Sequence, residues 1–283
     1  MRLFVIPLTS RRAFVYGHRV VQPAQKPSII DRAITKSSDL WLKWEKHEKG
    51  WKKHVTTWGN GMLRRIPYHE WSLKSIPAIS RGIPDSDRQK VPVVYPPSVM
   101  TQVEIPGLLQ KLGTEKSGEH KRRLMWCFIG MPLTIPFAAI PIIPNLPFFY
   151  LVFRAYSHWR AIQGGRHLQF LVHKNLLDPQ PDTRLDMIYK SKIETVAKNV
   201  DIPAEKIIKA AEAGVMDEAA QEHLNEELEL IEHPKQIAEA LEIPQLVVEI
   251  ERACEQVHEK LKKAKENHEK PEEGLERDQK KQN

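Results

Sequence analysis

The sequence predicts a mainly α-helical membrane protein, and three features of its charge and periodicity support this fold class. Residues 124–153 contain no Asp, Glu, Lys or Arg, and an uncharged apolar run longer than about 18 residues is the usual signal of a membrane segment. Five prolines interrupt this run, so we expect one proline-broken apolar segment, either a span or a re-entrant hairpin. It lies between a basic N-terminal arm and an acidic C-terminal arm in which helical periodicity returns.

Residues 1–30 have the composition of a mitochondrial targeting segment. Arginine recurs at Arg2, Arg11, Arg12 and Arg19, and no acidic residue precedes Asp31. Such Arg-rich, acid-poor segments are drawn inward by the membrane potential. The alternative is a basic surface segment that folds with the rest of the chain.

Residues 31–65 are predicted to be helical and to carry a seam of tryptophans. Trp41, Trp44, Trp51 and Trp58 follow one another at spacings of 3, 7 and 7, which places the four indoles near one face of a helix. Lysines occupy most of the remaining surface. The helix either lies at a membrane interface or packs its seam against a partner helix. We favour packing, because four indoles need a core behind them.

Residues 66–120 are predicted to be an extended, loop-rich connector. Prolines are dense here, and proline is poorly tolerated within long helices and central strands. Seven of them fall within residues 66–107: Pro67, Pro77, Pro84, Pro92, Pro96, Pro97 and Pro106.

The apolar segment Leu124–Phe153 is too long to be one straight membrane helix. Its 30 residues would extend roughly 45 Å at 1.5 Å per residue, whereas the hydrocarbon core of a bilayer is roughly 30 Å thick. Pro132 and Pro136 interrupt the first half. Pro141 begins a second group of prolines, and we expect a turn or elbow there with Asn145 at its polar tip.

Two arrangements of residues 121–172 remain open. Either residues 124–143 span the bilayer and residues 148–172 return along its surface, or both parts form a re-entrant hairpin that never crosses. The periodicity of residues 148–172 predicts an amphipathic helix, which favours an interfacial second helix.

Residues 183–260 contain a weak repeat of helix, tight turn and helix. Ile202-Pro203 and Ile243-Pro244 recur at an interval of 41 residues with similar apolar neighbours. The pattern resembles part of a DNA-binding helix-turn-helix, but the helix after Pro244 begins with Gln245 and acidic residues in place of basic ones. We therefore expect a helical partner-binding module and no nucleic acid. Residues 261–283, rich in Lys and Glu, are predicted to be a disordered tail.

No spacing in the chain indicates catalysis. Phosphate-cradling glycine loops, zinc-ligand patterns and a nucleophile elbow are not found in the sequence, so we expect no enzyme activity, catalytic residues, metal or cofactor. His158 and His167 lie nine residues apart, on a similar helix face. They are candidates for a pH-sensing or proton-relay pair, because histidine titrates near neutrality. The alternative is that they make interfacial polar contacts.

Three sequence blocks carry a resemblance to a known family. They are MRLFVIPLTSRR at residues 1–12, IPYHEWSLKSIP at residues 66–77 and PFFYLVFRAYSHWR at residues 147–160. Together they resemble the fungal-type mitochondrial K+–H+ exchange-related family, most clearly up to about residue 172. The resemblance also makes the start of the chain a family feature, which argues against cleavage of a presequence there.

The resemblance implies a protein of the mitochondrial inner membrane that is needed for potassium–proton exchange, and hence for matrix potassium and volume. It implies no catalytic residues. Secondary transporters usually build their ion site from repeated, discontinuous helices, and this chain has one apolar segment without an acid. We therefore expect a component or regulator of exchange that works as a homo-oligomer or in a larger membrane complex, with the lipid bilayer as a partner and potassium ions and protons as the transported species. The alternative is an inner-membrane interaction scaffold whose loss affects potassium indirectly.

Overall fold

The protein is an α/β protein built on a four-stranded sheet. The computed structural model describes residues 1–18, 43–44, 46–47, 49–80, 84, 87–136, 146–200 and 229–279. The chain divides into two units. One unit contains residues 1–18 and 68–283, and the other contains residues 19–67.

The sheet of the larger unit is mixed, with the strand order β2-β1-β3-β4. Strand β1 pairs antiparallel with β2 through a tight turn, and parallel with β3, which in turn pairs parallel with β4. The first strand of the chain is therefore an interior strand. The strand bounds are Arg2–Pro7 for β1, Ala13–His18 for β2, Val91–Tyr95 for β3 and Leu177–Pro181 for β4.

Helices cover both faces of this sheet. Those of the larger unit are Tyr68–Ser75 (α2), Glu104–Thr114 (α3), Ser117–Leu133 (α4), Leu146–His173 (α5), Thr183–Val200 (α6), Pro234–Ala240 (α7) and Leu246–Gln279 (α8). The smaller unit, described by itself, contains the helix Trp51–Arg64 (α1).

Strand β1 is apolar on both faces because each face meets a separate core. Successive side chains of a strand point to opposite sides. Leu3 and Val5 join a core that includes residues of α2, α3 and α5. Phe4 and Ile6 join a second core, which includes residues of α6, α7 and α8. All four side chains are almost fully buried, so the layers are helix, sheet and helix.

Two adjacent glycines let the backbone of α5 approach its neighbours closely. A Cβ atom on Gly164 would lie 1.9 Å from the carbonyl oxygen of Leu73 in α2, and one on Gly165 would lie 3.0 Å from the carbonyl oxygen of Gly113 in α3. A side chain at Gly164 does not fit in that space. Helix α5 is thus held against α2 and α3 by backbone contact.

The prediction of a mainly α-helical membrane protein was wrong. The sheet shows an α/β fold, and within the described ranges no helix is both long and apolar enough to cross a membrane. Part of the apolar segment extends α4 as far as Leu133, and another part begins α5 at Leu146. Charged residues of α4 and α5 flank the uncharged stretch, so its apolar residues are divided between two helices that also carry charge.

The expectation that residues 66–120 lack a central strand was also wrong. Strand β3 is an interior strand although it contains Pro92. The amide of Val91 donates to the Leu176 carbonyl, so the next backbone nitrogen faces β1. Pairing with β1 begins only at Val93, opposite Leu3. Pro92 therefore sits where no ladder donor is required.

Other segments agree with the sequence to different degrees. The helix predicted over residues 148–172 is α5. The second copy of the repeat folds as α7, a turn and α8, whereas residues 201–228 lie outside the described residues. Residues 261–279, expected to be disordered, continue α8.

Of the tryptophan seam, Trp58 is exposed on α1, and Trp41 is not among the described residues.

Residues 2–18, expected to belong to a targeting-like segment, form strands β1 and β2. This arrangement agrees with the alternative, in which the basic segment folds with the rest of the chain. The targeting role itself stays a prediction.

Candidate functional site

A cluster of buried polar side chains lies between α2, α4 and α5. Glu70 projects from α2, His120 from α4, and Arg154, Ser157 and His158 from α5. The three residues of α5 are spaced i, i+3 and i+4, so they share one helix face. Buried polar groups need partners, because their desolvation is otherwise uncompensated.

Glu70 is the centre of the cluster, and its side chain is fully buried. Arg154 donates two hydrogen bonds to it, from Nη1 to Oε1 at 2.8 Å and from Nη2 to Oε2 at 3.1 Å. The hydroxyl of Ser157 donates a further short hydrogen bond to Oε1. This bidentate pairing is the strongest form of an Arg–carboxylate contact. It ties α2 to α5.

Two histidines extend the cluster towards α4. Nη2 of Arg154 lies 3.2 Å from Nε2 of His158, and a guanidinium can only donate. Nε2 therefore accepts, and the ring proton of neutral His158 is on Nδ1. That atom lies 3.2 Å from Nδ1 of His120 and 3.7 Å from Oε2 of Glu70. His158 thus donates to His120, whose own proton is on Nε2.

Burial and nearby charge hold the cluster in one protonation state. Burial lowers the pKa of His158 to about 4, although the charge of Glu70 opposes this. Burial likewise lowers the pKa of His120. For Glu70, burial raises the pKa, but the Ser157 hydrogen bond and the Arg154 charge outweigh it, so the net pKa is lowered. At neutral pH the cluster therefore contains one carboxylate, one guanidinium and two neutral imidazoles.

The cluster also has a composition that can bind a metal ion, since ligand atoms of Glu70, His120 and His158 all lie within 4.8 Å of one another. Glutamate and histidine are common zinc ligands. However, ligation through Nδ1 of His158 requires its proton to move to Nε2, where it would face an Arg154 donor. Arg154 also occupies both oxygens of Glu70. The arrangement favours a hydrogen-bonded cluster over a metal centre.

The structure does not bring the predicted pair of His158 and His167 together. Both lie on α5, but His167 bonds through Nδ1 to the carbonyl oxygen of Pro77 at 2.7 Å. Burial lowers the pKa of His167. His158 has His120 as its imidazole neighbour instead. Their role in pH sensing or proton relay stays a prediction.

Sequence reasoning missed Glu70 and His120. Glu70 lies in the block at residues 66–77 that carries the family resemblance, so that block contained a signal. His120 immediately precedes the basic residues Lys121 to Arg123, and nothing in its local sequence marks it.

A second feature is an exposed apolar surface on α4 and α5. It consists of Met125, Trp126, Phe128, Ile129 and Leu133 on α4, Ile135 just beyond it, and Phe149, Val152 and Trp159 on α5. We call these nine residues the apolar surface. Trp126 and Phe128 are 62% and 60% exposed, and Leu133 is 72% exposed. A helix that is apolar around its exposed side is normally covered by something.

The apolar surface comes from the segment predicted to enter the membrane. Leu124 and Phe153, at its two ends, are half-buried, while Pro132 near the end of α4 and Pro136 after it are exposed. Pro141 and Asn145, the predicted elbow, lie outside the described residues. A shallow groove of about 400 Å³ runs beside Leu124, Met125 and Phe128.

The fold and these two features define an α/β protein. Its helices α4 and α5 carry the apolar surface, and the buried polar cluster around Glu70 joins these two helices to α2. Residues 2–172 match the family described as mitochondrial K+-H+ exchange-related. The chain belongs to this family, and its association with mitochondria follows from the family's description. The family resemblance identified from the sequence is thereby confirmed.

Two yeast proteins are similar to the chain. One, an uncharacterised protein of Schizosaccharomyces pombe, is 31% identical over 190 residues, which cover 67% of this chain and 83% of that protein. The other, an uncharacterised protein of Saccharomyces cerevisiae, is 31% identical over 203 residues, which cover 62% of this chain and 63% of the relative. No solved structure matches the chain.

Proposed function

We propose that this protein is a component or regulator of potassium–proton exchange across the mitochondrial inner membrane, and that it binds the surface of that membrane through the apolar surface. The link to exchange is supported by family membership. The apolar surface is the single observation that carries the membrane contact. Further copies of the chain or other proteins complete the exchange system.

The occupant of the apolar surface is an anionic lipid bilayer. Lys121, Arg122 and Arg123 lie in the first half of α4 and are all exposed, next to the apolar side chains that follow them. Apolar side chains beside a group of basic ones favour the interface of a negatively charged leaflet. Tryptophan is common at this depth, because its ring is apolar and its N–H is polar.

The buried cluster acts as a positioning device in this proposal. Glu70 in α2 is bonded to Arg154 in α5, and His158 in α5 is bonded to His120 in α4. These bonds fix the two helices of the apolar surface to the sheet unit. A shift of α4 or α5 at the membrane would therefore be passed through these bonds to α2.

Membrane binding is tested by flotation of the purified protein with vesicles. We expect binding to vesicles that contain anionic phospholipid and much weaker binding to neutral phosphatidylcholine vesicles. Trp126→Gln/Phe128→Gln should reduce binding at least tenfold, whereas Trp58→Gln, which removes an exposed tryptophan of α1, should not change it. Equal binding by the apolar-surface variant and the parent would exclude this surface as the membrane contact.

The exchange role is tested in isolated mitochondria by swelling in potassium acetate. Loss of the protein should slow swelling, wild-type protein should restore it, and Trp126→Gln/Phe128→Gln should not. Unchanged swelling without the protein would refute the exchange role. Reconstitution separates the remaining options: potassium-driven proton flux from the purified chain alone refutes a pure scaffold, and flux that needs a co-purified partner supports a complex.

A further inference from the structure

We propose that a basic cavity in the larger unit, separate from the apolar surface, binds a small organic phosphate. The cavity has a volume of about 620 Å³, within the range of about 300–1,000 Å³ that is typical of small-molecule sites. It lies between the β1–β2 turn, α2, α3, the start of α4 and α8. The inference does not depend on the proposed exchange role.

The charge of the cavity walls is strongly one-sided. Five basic side chains line it: Arg11, Arg12, Lys111, Lys116 and Lys260. Only one carboxylate, that of Glu115, is part of the same lining. A cleft lined by one sign of charge concentrates ligands of the opposite sign.

These basic residues come from parts of the chain that are distant in sequence, so their convergence is a product of the fold. Thr9 shapes the β1–β2 turn by accepting hydrogen bonds from the backbone amides of Arg11 and Arg12, at 3.3 and 3.0 Å. Lys111 is near the end of α3, and Lys260 is on α8. A bound anion lowers the mutual repulsion of the like charges that the fold brings to this cavity.

His69 reports the positive potential inside the cavity. Nζ of Lys116 donates to Nε2 of His69 at 3.0 Å, since an ammonium group has no acceptor. Burial and, after it, the charges of Lys116, Lys260 and Arg12 together lower the pKa of His69 to about 3. Three basic groups from different segments therefore act on the same imidazole.

The chemical class of the ligand follows from the remaining walls. Leu73, Leu108 and Leu112 line one part of the cavity, together with Tyr68. An inorganic anion needs only the basic groups, whereas a ligand with an organic part also contacts this apolar wall. Arginine and lysine both bind phosphate oxygens, arginine in bidentate fashion. A nucleoside diphosphate carries phosphate groups for the basic residues and an organic part for the remaining wall. The glycerophosphate headgroup of an anionic lipid also combines a phosphate with an organic part.

Isothermal titration of the full-length protein tests the inference, with ADP, inorganic phosphate and a water-soluble glycerophosphate headgroup as separate probes. We expect saturable binding of at least one organic phosphate at physiological ionic strength, at least tenfold tighter than inorganic phosphate. Tighter binding of ADP identifies a nucleotide, and tighter binding of the headgroup identifies a lipid source. Binding of inorganic phosphate alone, or no saturable binding, would overturn the inference.

Variants locate the site. Arg11 and Lys111 are both exposed, so Arg11→Gln and Lys111→Gln should leave the fold intact. Each should weaken organic phosphate binding about fivefold or more. Lys235→Gln, which removes an exposed lysine of α7 outside the cavity, is the matched control. Equal affinity of all three variants would place the ligand elsewhere. A ligand-dependent shift of the His69 imidazole resonances in NMR provides an independent readout of occupancy.

Discussion

Strand β1 and helix α4 are both rich in apolar residues, but the chain covers one and leaves the other exposed. Leu3, Val5 and Ile6 have no exposed surface, whereas Trp126 and Phe128 are about three-fifths exposed. Strand β1 has helices above and below its sheet, and α4 is covered on the side that faces α5. An apolar sequence therefore indicates that a segment will be buried against another surface. It does not indicate whether that surface belongs to the same chain.

The same substitution made in the two regions tests this comparison most directly. Phe4→Ala should lower the free energy of unfolding by about 3–5 kcal/mol, because it removes an almost fully buried ring of β1. Phe128→Ala should change it by no more than about 0.5 kcal/mol, since the ring is mostly exposed. Urea unfolding of the purified proteins measures both values. Similar losses at the two positions would contradict the contrast drawn between the regions.

The next largest effect is expected where the exposed helix pair meets the packed unit. Arg154→Met leaves the carboxylate of Glu70 buried without its cation, which should cost about 3–5 kcal/mol. Arg123→Met, which breaks an exposed pair with Glu119 on α4, is the matched control and should cost less than about 1 kcal/mol. Both are read from urea unfolding at pH 7.5.

A double substitution separates charge from packing at this position. Adding Glu70→Gln to Arg154→Met removes the unpaired carboxylate, so part of the lost stability should return. If the double variant is as unstable as the sum of the two single variants, the ion pair is not what fixes α5 to α2.

Acid should weaken the same junction over a defined pH range. His158 has a folded pKa of about 4 against an ordinary value of 6.5, so the unfolded chain binds the proton more readily. Its contribution to stability is therefore complete above pH 6.5 and is lost as the pH falls towards 4. The loss is on the order of 3 kcal/mol. His69, whose pKa is also lowered, acts in the same direction.

Unfolding free energies measured between pH 7.5 and 4.5 check this prediction. His158→Gln should make the dependence on pH shallower, because one of the protons taken up on unfolding is removed. An unaltered slope in the His158 variant would show that this imidazole is not buried in its neutral form.

The sequence predicted the helices better than the strands. The periodicity of residues 148–172 indicated α5 correctly, because an amphipathic helix has its pattern within one segment. The apolar run of β1 is short, flanked by arginines and buried on both faces, so it has no alternation to identify it. Strand β3 was missed because a proline such as Pro92 argues against a central strand. The strand tolerates this proline because its pairing with β1 begins only at Val93.

The candidate site was predictable only in part. His158 was identified from its position on a helix, but its partners were not. Glu70 lies 84 residues before Arg154, and His120 lies 38 residues before His158. Such pairs depend on how α2, α4 and α5 pack, which no local pattern records. In the sequence, the charge of Arg154 only marked the end of an apolar segment. In the fold, its guanidinium binds the buried carboxylate of Glu70.

The interior position of β1 has a consequence for the order of folding. Leu3 pairs with Val93, the hydroxyl of Tyr189 donates to the Pro7 carbonyl, and the amide of Leu230 donates to the Leu8 carbonyl. Contacts this distant in sequence form slowly, because long loops must close first. During synthesis residues 1–8 emerge before these partners, and the core that contains Phe4 and Ile6 is complete only when α8 follows. Until then this apolar strand is open to incorrect pairing.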